Sequence, residues 1–185
     1  SYDSKDGILS GVNNITLVED ADGGLWIGTN QGLFHFLNDQ FKPMTVADGF
    51  IAKRANIVFR DKDNRLLIGT ENGLRHLESG KFISDARCKG NSVRTIRNDQ
   101  AGALWVAGDF GIIRIFGNMI TALENRKGFS SGIFTMLEDT EGSFWLGTQT
   151  DGVIQLVESK FASYTTADGL LDDLVFSIYQ NEQKD

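Results

Sequence analysis

Few residues in this chain could do chemistry unaided. His35 and His76 are its two imidazoles and Cys88 its one thiol. A histidine pair could ligate a metal or move a proton near neutral pH. Here the two stand in the same column of a repeat, which Arg114 and Gln155 fill in the other copies. A column of His, His, Arg and Gln reads as a solvated strand face. Packed sheets lie ~10 Å apart, so the two rings cannot share a zinc whose bonds are near ~2 Å. The acidic pairs Asp20/Asp22 and Asp61/Asp63 have the D-x-D form that opens a calcium loop. The later ligands are missing, the bidentate Glu at position twelve among them, so these acids read as turn residues. No serine sits in a nucleophile elbow. Cys88 has no recurring histidine partner and reads as a passive thiol. No catalytic residue, metal site or cofactor is expected.

The elements that must position these residues come from a repeat. The segments DGGLWIGTNQGLFHF (22–36), DNRLLIGTENGLRHL (63–77), AGALWVAGDFGIIRI (101–115) and EGSFWLGTQTDGVIQL (141–156) align on Trp26, Leu67, Trp105 and Trp145. The steps are 41, 38 and 40 residues. Each copy offers four short apolar runs bounded by Gly, Asn or Asp, which is the hairpin signature. Gly23, Asn64, Gly102 and Gly142 share a turn column, and Asn is the residue that best replaces Gly at positive φ. The run LWIG is apolar on both faces, the mark of a strand covered on both sides. Gly28, Gly69, Ala107 and Gly147 form a column of small residues, consistent with a close approach there. The three tryptophans then read as wedges buried between successive sheets. Four-stranded sheets stacked at about 40 residues each predict an all-β fold, a β-propeller arc of four four-stranded blades. A coiled β-solenoid is the rival, with repeats that are usually shorter. No unit shows the 3.6-residue stripe of a helical repeat.

Composition narrows the partners. The 185 residues are 41% hydrophobic and 23% charged, with a net charge of −7 and a pI of about 4.8. An acidic chain lacks the clustered basic surface that a nucleic-acid backbone requires, so no nucleic acid is expected. No apolar run approaches the roughly 20 residues that span a bilayer. The opening SYDSKDG is not a signal peptide.

The pattern V-x-x-I-x-x-D-x-x-G-x-LWIGT-x-x-G-L, followed by F-x-x-Y-x-x-x-DGL, resembles the two-component regulator propeller repeat. It stands here as IFTMLEDTEGSFWLGTQTDGVIQL and FASYTTADGLLDDLVFSIYQ. Other propeller families fit less well. WD repeats place Asp after Trp, where these tryptophans precede Ile, Val or Leu. The sialidase-type Asp-box register fails at Trp26, and only Gly23-Gly24 offers a kelch-like doublet. Repeat three departs from the family with WVAG, and the loop before it lacks DGL. The resemblance implies a periplasmic or extracellular sensor propeller, joined in the parent protein through a membrane helix to a histidine kinase or a GGDEF cyclase. It implies sensing of extracellular ligands, carbohydrates among them, by a module that is not itself an enzyme.

Binding residues are expected where the repeats disagree, in loops on one end of the blades. The candidates are Asn30, Arg54, Asn56, Glu71, Arg94, Asp109 and Gln149, with Phe110 placed to stack on a sugar ring. The partner would be a small-molecule or oligosaccharide ligand. The alternatives are a propeller hydrolase or lyase acting on carbohydrate, which needs paired acids in a cleft, and a protein-binding scaffold. The repeats span 12–50, 54–90, 92–129 and 132–170, with partial blades at 1–8 and 174–185. The two ends supply only an outer and an inner strand of a shared blade. A fragment of a larger propeller is therefore expected, completed by the remaining blades of its parent or by a second copy in a homodimer. Contact with a membrane would come only through the parent protein.

Overall fold

A computed structural model describes residues 11–13, 15–123, 132–157 and 160–180. The partial blade expected at 1–8, most of the loop KGFSSG, and residues 181–185 lie outside the described residues. The chain divides into two compact units, Ser1–Val93 and Arg94–Asp185. The described residues form four antiparallel four-stranded sheets.

The first unit holds two sheets. One is β1 (Thr16–Glu19), β2 (Leu25–Thr29), β3 (Gly32–Leu37) and β4 (Gln40–Pro43). The other is β5 (Ala55–Arg60), β6 (Leu66–Thr70), β7 (Gly73–Glu78) and β8 (Lys81–Ser84). In both, each strand pairs with the next in sequence, so every connection within a sheet is a short turn. Between the sheets lie Trp26, Leu33, Phe50, Ala55, Val58, Leu66, Ile68 and Phe82, all buried. Trp26 meets Phe82 edge-on at 5.7 Å. The packing explains Gly28: a Cβ there would fall 2.7 Å from Thr16 Oγ1 and 3.1 Å from both the Ala55 carbonyl oxygen and Val58 Cγ1. A side chain would force the second sheet off the first.

The second unit repeats the plan with β9 (Val93–Asn98), β10 (Leu104–Gly108), β11 (Gly111–Phe116) and β12 (Met119–Leu123), then β13 (Ile133–Glu138), β14 (Phe144–Thr148), β15 (Val153–Val157) and β16 (Lys160–Tyr164). Trp105, Ala107, Ile112, Ile133, Met136, Phe144, Leu146, Ile154 and Leu156 make its core. Trp105 stacks on Phe144 with ring centres 4.2 Å apart. Residues 174–180 form no strand, though the Val175 amide donates to the Thr148 carbonyl at 2.9 Å.

Polar residues of the repeat close its turns. Thr29, Thr70 and Thr148 donate to the carbonyls of Gly32, Gly73 and Gly152 at 2.8–2.9 Å, which fixes the turn between the second and third strands. Asn64 has φ +62°, the left-handed conformation expected from its column. In the DG signal, the amide and hydroxyl of Thr45 donate to the Asp48 carboxylate at 2.9 and 2.8 Å, and Thr165 and Asp168 repeat this bond. Gly49 then takes φ +80° and delivers Phe50 into the core.

Candidate functional site

The leading acid of each D-x-D or equivalent turn is a hub of its blade, and Asp20 also accepts from Arg60 of the next sheet at 3.2 Å. Asp61 Oδ1 accepts from the amides of Asp63 and Arg65, and Asp139 Oδ1 from those of Glu141 and Ser143. The other oxygen of Asp139 takes the Trp145 indole N–H at 2.8 Å, and that of Asp99 takes the Trp105 N–H at the same distance. Burial by itself would raise the Asp99 carboxyl. The bonds from Trp105, the Ala103 amide and Arg114 outweigh it and hold the group below the usual carboxylate range. Asp139 is lowered in the same way, against burial, by Trp145 and the amides of its turn. These carboxylates are committed to turn and wedge, not to a calcium ion.

The His-His-Arg-Gln column corrects an expectation: it is half-buried rather than solvated. Register places it directly across from the wedge column, as Trp26↔His35, Leu67↔His76, Trp105↔Arg114 and Trp145↔Gln155. The His35 ring stacks on Trp26 at 4.1 Å, with its Nε2 2.8 Å from Asp20 Oδ2. Arg114 donates to Asp99 Oδ2 at 3.0 and 3.1 Å. The wide face of a tryptophan needs a flat neighbour across the strand, and the turn acid then holds that neighbour's polar end. Trp145 is a second correction. It is half-buried, unlike Trp26 and Trp105, each 6% exposed. Trp145 and Tyr164, stacked at 5.7 Å, border a cavity of about 670 Å³ with Leu170 and Tyr179. Burial pushes the Cys88 thiol up to about 12, so it stays protonated and inert.

The candidate binding residues divide by what already holds them. Asn30 Oδ1 accepts from the Asn13 amide at 2.9 Å. Glu71 accepts from the amides of Lys53 and Arg54 at 2.7 and 3.0 Å. Both tie the loop entering a blade to that blade's second turn. Asn56 donates to the Val93 carbonyl at 2.9 Å. Arg54 and Gln149 are exposed, the latter donating its amide to the Gly132 carbonyl, and Phe110 is half-buried.

Asp109 occupies the column of Asn30 and Glu71 but turns elsewhere. Its carboxylate takes Arg94 Nε at 2.7 Å and Nη2 at 3.3 Å. The guanidinium carbon sits 4.7 Å from the centre of the Phe134 ring, and Phe134 stacks on Phe176 at 5.5 Å. Phe176 is 69% exposed. Gly132 makes room for the pair, since a Cβ there would lie 2.6 Å from Asp109 Oδ1. The structure thus joins two of the expected residues, Arg94 and Asp109, to three that the sequence reading missed: Gly132, Phe134 and Phe176. The signal was present. Phe134, the second residue of β13, and Phe176 share a column in GIFTMLE and LVFSIYQ, outside the variable loops. The ensemble offers a fixed cation, an acceptor and an open aromatic face, the elements of a clamp for a ring-shaped polar ligand. Among the described residues, no group of three His, Cys, Asp or Glu side chains is placed to hold a metal ion.

Comparison with known proteins follows the fold. Residues 7–31 match the family model of the two component regulator propeller. Among solved structures, the extracellular domain of the hybrid two component system BT3049 from B. thetaiotaomicron is similar at 20% identity and TM-score 0.72. The match covers 91% of this chain and 24% of that one. That of BT4673 from the same organism is similar at 18% identity and TM-score 0.76, covering 94% and 25%. A virginiamycin B lyase from Staphylococcus aureus is similar at 14% identity and TM-score 0.62, covering 84% and 57%. The chain spans about a quarter of the first two structures. No curated protein sequence matches it. Among the described residues, no helix is long and apolar enough to cross a membrane. At this identity the structures establish fold alone: this is an all-β chain of propeller blades, in which the segment 7–31 matches the two component regulator propeller repeat.

Proposed function

We propose that the chain is a non-catalytic, ligand-sensing part of the extracytoplasmic domain of a signal-transduction receptor, periplasmic or extracellular. The observation that carries this reading is the Arg94–Asp109 pair laid over Phe134 beside the exposed Phe176. An ion pair stacked on an open aromatic face suits a neutral ring with hydroxyls on its rim, such as a sugar of a small oligosaccharide. Asp109 would accept from hydroxyls and Arg94 would donate to them, while the ring's C–H face lies on Phe176. Likeness to extracellular domains of two-component systems supports the placement. The remaining blades of a longer parent chain would cover the cavity beside Trp145, as β13–β16 cover Trp105.

The fold likeness to a lyase gives the second reading, a propeller enzyme acting on carbohydrate. Against it stands the engagement of nearby acids. Asp139, Glu141 and Asp168 border the cavity of the last blade; Asp139 and Asp168 are tied into turns, which leaves Glu141 where a glycosidase needs a pair of acids. Calorimetric titration with an oligosaccharide panel distinguishes the readings. Binding without turnover, lost in Arg94→Ala, supports sensing. Release of a cleaved product, unaffected by Arg94→Ala, supports the enzyme.

A further inference from the structure

The outer edge of β12 is an uncovered apolar strand. Met119 is 67% and Ile120 52% exposed, and Phe116, which pairs with Met119, is 43% exposed. Its sequence, MITAL, carries no charge and no proline. Outer strands in propeller blades present unpaired amides and carbonyls, and proteins guard such edges with lysine or proline. Here β4 carries Lys42 and ends in Pro43, and β8 opens on Lys81. β12 has neither residue.

The register shows which groups are open. The hairpin loop Gly117–Asn118 has two residues, so Phe116 and Met119 form a hydrogen-bonded pair. Antiparallel alternation then turns the backbone groups of Met119, Thr121 and Leu123 toward β11, and those of Ile120 and Ala122 outward. In β4 the position matching Ala122 is Pro43, opposite Phe34 as Ala122 is opposite Ile113. The first blade therefore lacks an outward N–H where the third blade offers one.

We propose that β12 is a homodimer interface, pairing antiparallel with β12 of a second copy about a two-fold axis through Thr121. This register sets Ile120 against the partner copy's Ala122 in hydrogen-bonded pairs, and Thr121 against its own counterpart in a non-hydrogen-bonded pair. Met119 faces Leu123. The alternation of open groups fits, every opposed pair is uncharged, and central Thr–Thr and aliphatic pairs favour a sheet. The contact is isologous and closes at two copies. The same two-fold operation on β4, through Lys42, would oppose Pro43 to Phe41 and lose the outward amide that pairing needs.

Sedimentation equilibrium of the full chain at tens of micromolar tests this. The wild type is expected as a dimer. Ala122→Pro removes the outward amide at a position where the first blade already accepts proline, and is expected to halve the mass. Ile120→Lys, at an exposed side chain, should do the same by another route. Far-UV circular dichroism should be unchanged in both. A monomeric wild type overturns the proposal. So does a dimer that survives both substitutions, which would place the contact on another surface such as the open face beside Trp145.

Discussion

Trp105 and Trp145 hold the same place in successive repeats, and both indole N–H groups donate to the turn acid at 2.8 Å. They differ in what lies over them. Phe144 stacks on Trp105 at 4.2 Å and leaves it 6% exposed, while Trp145 borders the 670 Å³ cavity and is half-buried. Hydrogen bonding is a property of one blade, written locally in its turn. Burial is a property of two blades and follows from the neighbour. An identical motif can thus be a core residue in one copy and a surface residue in the next.

Substitutions can break this contrast, and the largest effect falls on the wedges. Trp105→Ala should cost about 3–5 kcal/mol, since it empties a packed inter-blade site. Trp145→Ala should cost about 1–2 kcal/mol, because its cavity-facing side has little to lose. Denaturant titration giving equal losses would mean that the open face is covered in solution. Next come the acids. Asp99→Ala orphans the Trp105 N–H, the Ala103 amide and the Arg114 guanidinium, and should cost about 3 kcal/mol. Asp139→Ala has no cation to strand, because Gln155 replaces the arginine, and should cost about 1 kcal/mol less. A larger loss at Asp139 would reverse the ranking.

The pH dependence is smaller and common to both blades. Asp99 and Asp139 titrate lower in the folded state than their unfolded value of 3.8. Their contribution is therefore present above about pH 4 and is lost as pH falls through the lowered folded values. Stability followed by tryptophan fluorescence should decline in that acid window, and the decline should shrink in Asp99→Ala. An unchanged acid slope in that variant would remove Asp99 as a source. The smallest effect is at the turn: Asn64→Gly should stay within about 0.5 kcal/mol, while Asn64→Ala, strained at φ +62°, should cost about 1 kcal/mol.

That ordering also marks what the sequence made legible. The repeat, its strands, the left-handed turn at Asn64 and the need for Gly28 followed from local pattern, because hairpins close within a few residues. The wedge role was legible as a column. Its failure at Trp145 was not, since whether a neighbour covers that copy is a tertiary fact. The histidine column departs from its expected solvated face because polar residue types do not show what lies across the strand. Cross-strand stacking of His35 on Trp26 depends on register with the second strand. In the candidate site, variation between repeats singles out Arg94, Asp109, Asn30 and Glu71 alike, and the structure adds that Asn30 and Glu71 accept backbone amides of the loop entering their blade. Variation marks freedom to differ, and which partner each residue takes is set by geometry that the sequence does not carry.

The claim that the chain senses a ligand through one cluster is tested most directly by calorimetry on three forms: wild type, Arg94→Ala and Arg54→Ala. Neutral oligosaccharides serve as the probe. The account predicts heat of binding in wild type and in Arg54→Ala, whose guanidinium joins no cluster among the described residues, and at least a tenfold loss in Arg94→Ala, about 1.4 kcal/mol. Undiminished binding in Arg94→Ala, with affinity lost in Arg54→Ala instead, would contradict it.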